Sequence, residues 1–436
     1  MSLRRQFFRY ILPSILSMWI FSLYTMVDGI FVSWGVNEYA LAAVNLSMPF
    51  VNFIFAVGML FATGTSTVIS IALGEKDRET ACRYFNQNLL VVSAVCIVLS
   101  AVTMLNLEKL CVFLGGGAET LSYVKEYVGT IAPFAIFFAV SYNLEVQVKS
   151  DGAPQVSSIG VLSCGIMNIL LDYIFVMRLH WGIRGAAFAT GLAQVTSTLV
   201  FVLYFIFRRH RLQFGNFGMD LSVYRRIIPL GLSEGFTELS NAIVIFAFNL
   251  AVIHVLGEDK VTCYTVISYV NTLVMSTMSG ISQGIQPITS FNFGAGKREC
   301  CHRLLRYGLA AVAFCSLALF SAAELFAPGI VRLFLSPSSG LFGYTVRALR
   351  MFATSFLIMG FNILMSGDFT AVNLPRYSFP ISIGRSLVLL LASLVFCSLV
   401  LGGDCLWLAA TLSELLCLIL TAVLSVKYRN RVRTQV

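Results

Sequence analysis

Apolar residues in this chain come in blocks, separated by short polar and basic stretches, with neither the strict alternation of strands nor the narrow stripe of a surface helix. A spanning helix needs about 20 mostly apolar residues. That window predicts twelve helices, over residues 10–34, 47–73, 88–107, 122–148, 155–177, 183–207, 225–256, 262–292, 304–327, 344–371, 377–400 and 404–426. A barrel strand takes only about ten residues, so runs of this length predict an all-α polytopic membrane protein. The longest connections, such as 208–224, hold fewer than twenty residues, and no domain outside the membrane is predicted.

Composition agrees with this pattern. The 436 residues are 58% hydrophobic and 12% charged, whereas soluble domains are about a quarter charged. The net charge of +9 sits mainly in short loops, where it reads as a topology signal and not as a nucleic-acid surface. With the N-terminus cytoplasmic, 22 of the 30 basic residues fall inside, among them Lys149, Arg208, Arg209, Arg211 and Arg385. Both termini are therefore expected in the cytoplasm. Eleven cysteines are scattered through apolar segments without a CxxC pair, and the four histidines do not cluster. That spacing argues against structural zinc and against a disulfide framework. The first run exceeds a signal-peptide core and is read as a retained helix.

The two halves repeat. "PSILS" at 13–17 returns as "PLGLS" at 229–233, and "GTSTVISIALG" at 64–74 returns as "GIQPITSFNFG" at 284–294. The stretch from Asn143 to Pro154 is echoed from Asn362 to Pro375, and the offset stays between 216 and 221. These echoes predict lobes over 1–207 and 225–436, joined by a cytoplasmic linker at 208–224. Six helices per lobe is an even number, so both lobes enter the membrane in the same direction. Parallel repeats of this kind are common in alternating-access transporters.

Against this apolar background a few polar residues stand out. A charge at helix centre costs about 2.5–3.5 kcal/mol on insertion scales, so intramembrane carboxylates usually face a cavity and have a function. Asp28 lies six residues short of the outer end of the first helix. Asn168 and Asp172 lie one turn apart on the fifth, and Thr190 lies about seven residues down the sixth. Counting 1.5 Å per residue brings Asp28, Asp172 and Thr190 to one depth, about 9 Å below the outer surface. Two carboxylates, an amide oxygen and a hydroxyl can hold a proton or a small hard cation, including a transient Na+. The corresponding stretches of the second half, "VIFAF" at 244–248 and "LLLAS" at 389–393, carry no charge. In the seventh helix Glu234, Glu238 and Asn241 share a face and either line a cavity as counter-charges for a cationic substrate or serve as packing partners. Glu414 in the twelfth is a further candidate of the same kind. Glu145 and Asp368 fall near cytoplasmic helix ends, where solvation by water is expected.

The segments "VDGIFV", "LAAVNLSMPF", "GTSTVISIALGEKD", "SDGAP", "NILLDYIFV" and "GIRGAAFATGLAQ", in this order and spacing, resemble the MATE (multidrug and toxic compound extrusion) transporters over nearly the whole chain. The resemblance implies two pseudo-symmetric six-helix lobes around a V-shaped cavity. It also implies antiport of organic, often cationic compounds against H+ or Na+, with Asp28, Asn168, Asp172 and Thr190 as the cation site. Some members pair a helix 10 acid with a helix 7 glutamate. Here 352–363 reads "FATSFLIMGFNI", and no C-lobe ion site of that kind is expected. A flippase for a lipid-linked substrate is the alternative within the same fold, although its diphosphate would favour several cavity Lys or Arg. No HExxH, nucleotide-binding loop or Ser-His pair points to an enzyme, and no cofactor is implied. A monomer in the bilayer, working on a small molecule and an ion, is expected.

Overall fold

The computed structural model describes residues 2–36, 38–117, 119–207, 211–215 and 218–433. Every element among them is helical, and the predicted runs all appear. The first six spanning helices are α1 (Leu3–Gly35), α2 (Glu38–Gly74), α3 (Arg78–Leu105), α4 (Leu121–Asp151), α5 (Pro154–Arg178) and α6 (Gly182–Phe207). The second six are α7 (Tyr224–Leu256), α8 (Val261–Gly294), α9 (Arg298–Arg332), α10 (Phe342–Ala371), α11 (Pro375–Leu401) and α12 (Gly403–Asn430). Eleven are long and apolar enough to cross a bilayer. The remaining one, α8, carries Ser, Thr, Asn or Gln at fourteen of its 34 positions. It packs against α1, α2, α9 and α10, which bury its polar groups at Thr277, Ser282, Gln286, Thr289 and Ser290, whereas Thr262, Thr265 and Thr272 nearer its other end are exposed.

The repeat extends to the turns. α4 ends at Gly152 in the left-handed region (φ 106°), and Pro154 opens α5 at the first helical position, where its missing N–H costs nothing. At the matching turn Asn373 (φ 63°) precedes Pro375; asparagine is among the few other residues that tolerate this conformation. Side-chain bonds repeat too. Ser17 donates to Ser158 at 3.1 Å in the first half, and Ser233 donates to Ser378 at 3.0 Å in the second.

Within the first six helices, α1 packs on α5, α5 on α6, and α2 on α3 and α4; within the second, α8 and α9 pack on α10, and α11 packs on α7 and α12. The two sets meet through α1 on α8 and α2 on α7. Lipid tails are as apolar as leucine, so close approach of small residues replaces hydrophobic burial as the driving force. A methyl added at Gly74 would strike the Phe291 carbonyl, and one at Gly294 would strike the Ile71 carbonyl. The same two-fold relation holds deeper, where Gly231 lies on the Leu60 backbone and Gly280 lies on Ile15. One member of each crossing is glycine, on opposite partners.

All these crossings lie toward the bundle end that carries both termini. Residues 62–74 of α2 are buried on every side, and so are 280–290 of α8 except position 283. Their other halves have exposed faces: Tyr39 and Phe53 on α2, Tyr269 and Leu273 on α8. The lobes are thus closed at the terminal end and splayed at the far end.

Three charged residues differ from expectation. Glu145 is not solvated: it lies inside the terminal end of the first lobe, bound to Lys149 at 2.9 Å and to the Ser157 hydroxyl at 3.0 Å. Lys149, counted as a loop cation, is 1% exposed. Arg385 is the third and is taken up below. Arg208 and Arg209, also counted for topology, lie outside the described residues. The described part of the linker is tied to the first lobe. Asn86 Nδ2 donates to the Gln213 carbonyl, Gln87 exchanges two bonds with the Asp220 backbone, and the Leu212 amide donates to Asp151. Asp220 also accepts from the Ser222 hydroxyl and amide, which holds its carboxyl below the usual range.

Candidate functional site

In the first lobe α1, α5 and α6 bring the four predicted residues together. α1 packs against α5, and α5 against α6, along their lengths. Asp28, Asn168 and Asp172 are buried, and Thr190 is half-buried. The carboxyls of Asp28 and Asp172 are immediate neighbours. Asn168 Nδ2 reaches the Thr190 hydroxyl at 3.4 Å, and that hydroxyl donates to the Ala186 carbonyl one turn back at 3.1 Å. The Asn168 amide is thereby oriented with its oxygen free. Asp28 Oδ1, Asn168 Oδ1 and both Asp172 oxygens are buried without a hydrogen-bond partner. Directly after Asp172 the helix widens into a π-helical turn, Tyr173–Arg178; such turns often mark functional positions.

Among the described residues, no Lys, Arg or His is paired with either carboxylate. A buried charge without a partner costs several kcal/mol, and a buried acceptor without a donor about 1–3 kcal/mol. Acceptor-only groups in that state suit a ligand that brings positive charge, namely a proton or a bare cation. Tyr127 of α4, buried within electrostatic reach of both acids, completes the surround. Sequence spacing did not single it out, because one tyrosine among many in apolar helices carries no periodic signal.

The second lobe also holds a polar cluster, built away from the uncharged stretches 244–248 and 389–393. Arg385, counted as a cytoplasmic loop cation, lies ten residues into α11, inside a π-helical turn, and is 9% exposed. Its Nε lies 2.9 Å from Glu414 Oε1 of α12. Asn362 of α10 donates to Glu414 Oε2 at 2.8 Å and to the Glu414 carbonyl at 3.0 Å, and Thr421 donates to Asn362 Oδ1 at 3.1 Å. The available signal was Arg385's position inside the apolar run 377–400; a loop cation should not be there.

The predicted cavity acids divide around this cluster. Glu414 and Asn241 line a chamber of about 90 Å³ with the stacked rings of Phe248 and Tyr264. Glu234 lines a smaller one of about 40 Å³ with Asn362 and Gln283, and Arg385 borders both. Glu238 is half-buried and accepts from Asn241 Nδ2 at 3.4 Å. The structure therefore places Glu234, Asn241 and Glu414 around the interior of the second lobe.

Comparison with known proteins follows this geometry. The MatE family profile matches residues 13–174 and 235–395, once in each half. The chain is 23% identical over 435 residues to the multidrug export protein MepA of Staphylococcus haemolyticus, covering 99% of this chain and 95% of that one. A crystal structure of a MATE protein in complex with MaL6 superposes with a TM-score of 0.92 at 22% identity, over 100% of this chain and 97% of that one. An outward-facing multidrug resistance MATE transporter superposes with a TM-score of 0.90 at 23% identity, covering 100% and 97%. These structures share the twelve-helix fold.

Proposed function

The chain belongs to the MatE family, and from that premise we propose that it is a multidrug efflux transporter driven by cation antiport through its first lobe. Two lines support the first part: a full-length likeness to a multidrug export protein and a bundle splayed at one end. The second part rests on one observation, the buried Asp28–Asp172 pair with its unpartnered oxygens. The cargo is an amphipathic, typically cationic organic compound; the coupling ion is H+ or Na+. The protein works as a monomer in the cytoplasmic membrane with both termini inside, as the excess of basic residues at that end favours. The lobes divide in the 208–224 linker, with 1–207 on one side and 225–436 on the other. The splayed end then faces outward.

In this reading the outward-open lobe binds its cation at Asp28, Asn168, Asp172 and Thr190. A proton neutralises one acid and leaves the pair sharing a hydrogen bond; Na+ would draw the same oxygens inward. Either way repulsion between neighbouring carboxylates is relieved, and α1 can repack against α5 and α6. Because α1 also packs on α8, that movement is transmitted to the closed interface. Glu238 and Glu234 offer negative charge to a cationic cargo on the α7 side. An ion can shift the equilibrium only by its differential affinity for the two states, and an acid pair that is compact in one state and separated in the other supplies it.

The test is dye efflux from proteoliposomes under imposed proton or sodium gradients. Wild type should respond to one gradient, and Asp28→Asn combined with Asp172→Asn should abolish transport in folded, inserted protein. Wild-type transport by that double variant would overturn the assignment.

A further inference from the structure

The second lobe carries the acids for a cation site but already holds a cation of its own. Glu414 is fixed by two bonds from Asn362, and Thr421 locks that amide in turn. Glu234 lies across a chamber that Arg385 and Asn362 also line. Between them stands the Arg385 guanidinium, 2.9 Å from Glu414 and packed on Met275. Glu238, one turn above Glu234, engages Asn241. These groups resemble the ingredients of the first-lobe site, with one buried carboxylate (Glu414), one half-buried carboxylate (Glu234) and an asparagine amide, and with one addition. The first-lobe acids have no basic partner among the described residues. In the second lobe Glu414 has one, and it is covalently attached to the chain.

We propose that Arg385 is a tethered substitute for a coupling cation, so that the second lobe is permanently loaded and only the first lobe exchanges ions with solution. Three features carry this. Arg385 is nine-tenths buried, and a guanidinium cannot be deprotonated in a protein. It enters from a π-helical turn, which re-aims a side chain by shifting the helix register. Its target is already held by Asn362, and the 2.9 Å contact is an ion pair in which the Arg385 Nε–H makes no aligned hydrogen bond. A permanently charged side chain can neither dissociate nor titrate, and the second lobe keeps one electrostatic state through the cycle. Each turnover then moves the ions of one site only. This last consequence rests on the ion-coupled reading above; the occupancy of the second lobe does not.

The experiment measures sodium-dependent thermal stability in detergent, in an Asp28→Asn, Asp172→Asn background that silences the first lobe. With Arg385 present this background should show no sodium response. Arg385→Gln should be less stable and should gain a saturable sodium-dependent rise in melting temperature of roughly 2 °C or more. Arg385→Lys should stay unresponsive, and Arg385→Gln with Glu414→Gln should fold and lose the gain. If Arg385→Gln folds and sodium does nothing for it, the proposal fails. Should Arg385→Gln not fold, the parent background decides. A sodium response there that disappears on Glu414→Gln would mean the site accepts ions beside Arg385 and would overturn the proposal; continued silence supports it. Failure of ion-driven transport in wild type with the Arg385→Gln gain intact would refute the antiport reading alone.

Discussion

Among the described residues, Asp28 and Asp172 of the first lobe have no basic partner, although that lobe pairs Glu145 with Lys149, whereas the second ties buried Glu414 to Arg385. Both lobes descend from one repeated pattern, with matching serine bonds, turn geometry and glycine crossings. The difference lies in what each lobe tolerates. An uncompensated acid pair is unstable, which in the proposed reading is what lets the first lobe load and release a cation. A compensated pair is stable and inert. Fold symmetry therefore does not extend to the buried charges, and an arginine inside an apolar helix marks the difference.

The sharpest way to break this comparison is to neutralise one acid in each lobe. Asp172→Asn should reduce dye efflux to background while leaving thermal stability unchanged or higher, because it removes an uncompensated buried charge. Glu414→Gln should lower stability by about 3–5 kcal/mol, the usual cost of orphaning one member of a buried ion pair. Equal stability losses at the two sites, measured by thermal melting in detergent, would abolish the distinction. Replacing both partners, Arg385→Met with Glu414→Met, should recover most of that loss, since apolar substitutes for a buried pair are often neutral. A double variant as unstable as the single one would show that Arg385 has a second essential partner.

The interface is the control, because there the lobes should behave alike. Gly231→Val and Gly280→Val each place bulk against a backbone, at Leu60 and Ile15 respectively. Both should force the terminal end apart and make a cysteine introduced at Thr67 or Thr289, each buried now, accessible to a thiol reagent. Protection retained in either variant would contradict the two-fold closure. The smallest effect concerns the helix caps. Asp77 Oδ1 accepts from the Thr80 amide at 3.0 Å, whereas Lys297 at the matching cap makes no side-chain bond. Asp77→Ala should cost about 1 kcal/mol and Lys297→Ala nearly nothing. Bonds from the Thr80 side chain and amide hold the Asp77 carboxyl below its ordinary value of 3.8. A depressed folded-state value means its contribution is present at neutral pH and fades as the pH falls through that value. The difference between Asp77→Ala and wild type should shrink in acid, and a constant difference would assign the cost to something other than the ionised cap.

Much of the architecture was legible because bilayer thickness imposes a length on every crossing. Even α8, which is not among the eleven apolar enough to cross a bilayer, was found by the same window over 262–292. The Asp28, Asn168, Asp172 and Thr190 group was legible for a related reason: depth along a straight helix can be counted, and charged residues in lipid are few. Depth does not give azimuth, however. Glu414 was noticed for its charge, yet nothing in its neighbourhood announced that Arg385 lies opposite on another helix. Arg385 reads as a loop cation only when basic residues are totalled without regard to depth, since it lies inside the apolar run 377–400. Glu145 and Lys149 read as solvated because they lie near a helix end, and a sequence does not show that this end is packed.

The sequence by itself determined that this is a twelve-helix membrane bundle built from two copies of one six-helix unit, with an acid cluster in the first. Those features follow from local quantities, namely run length, offset and depth, which hydropathy fixes along a single chain. The tertiary structure decided which charges meet, which end of the bundle is closed and which lobe is left uncompensated. Each of these depends on rotation of helices about their own axes, and in a bilayer that rotation is set by glycine contacts and buried polar bonds between separate segments of the chain.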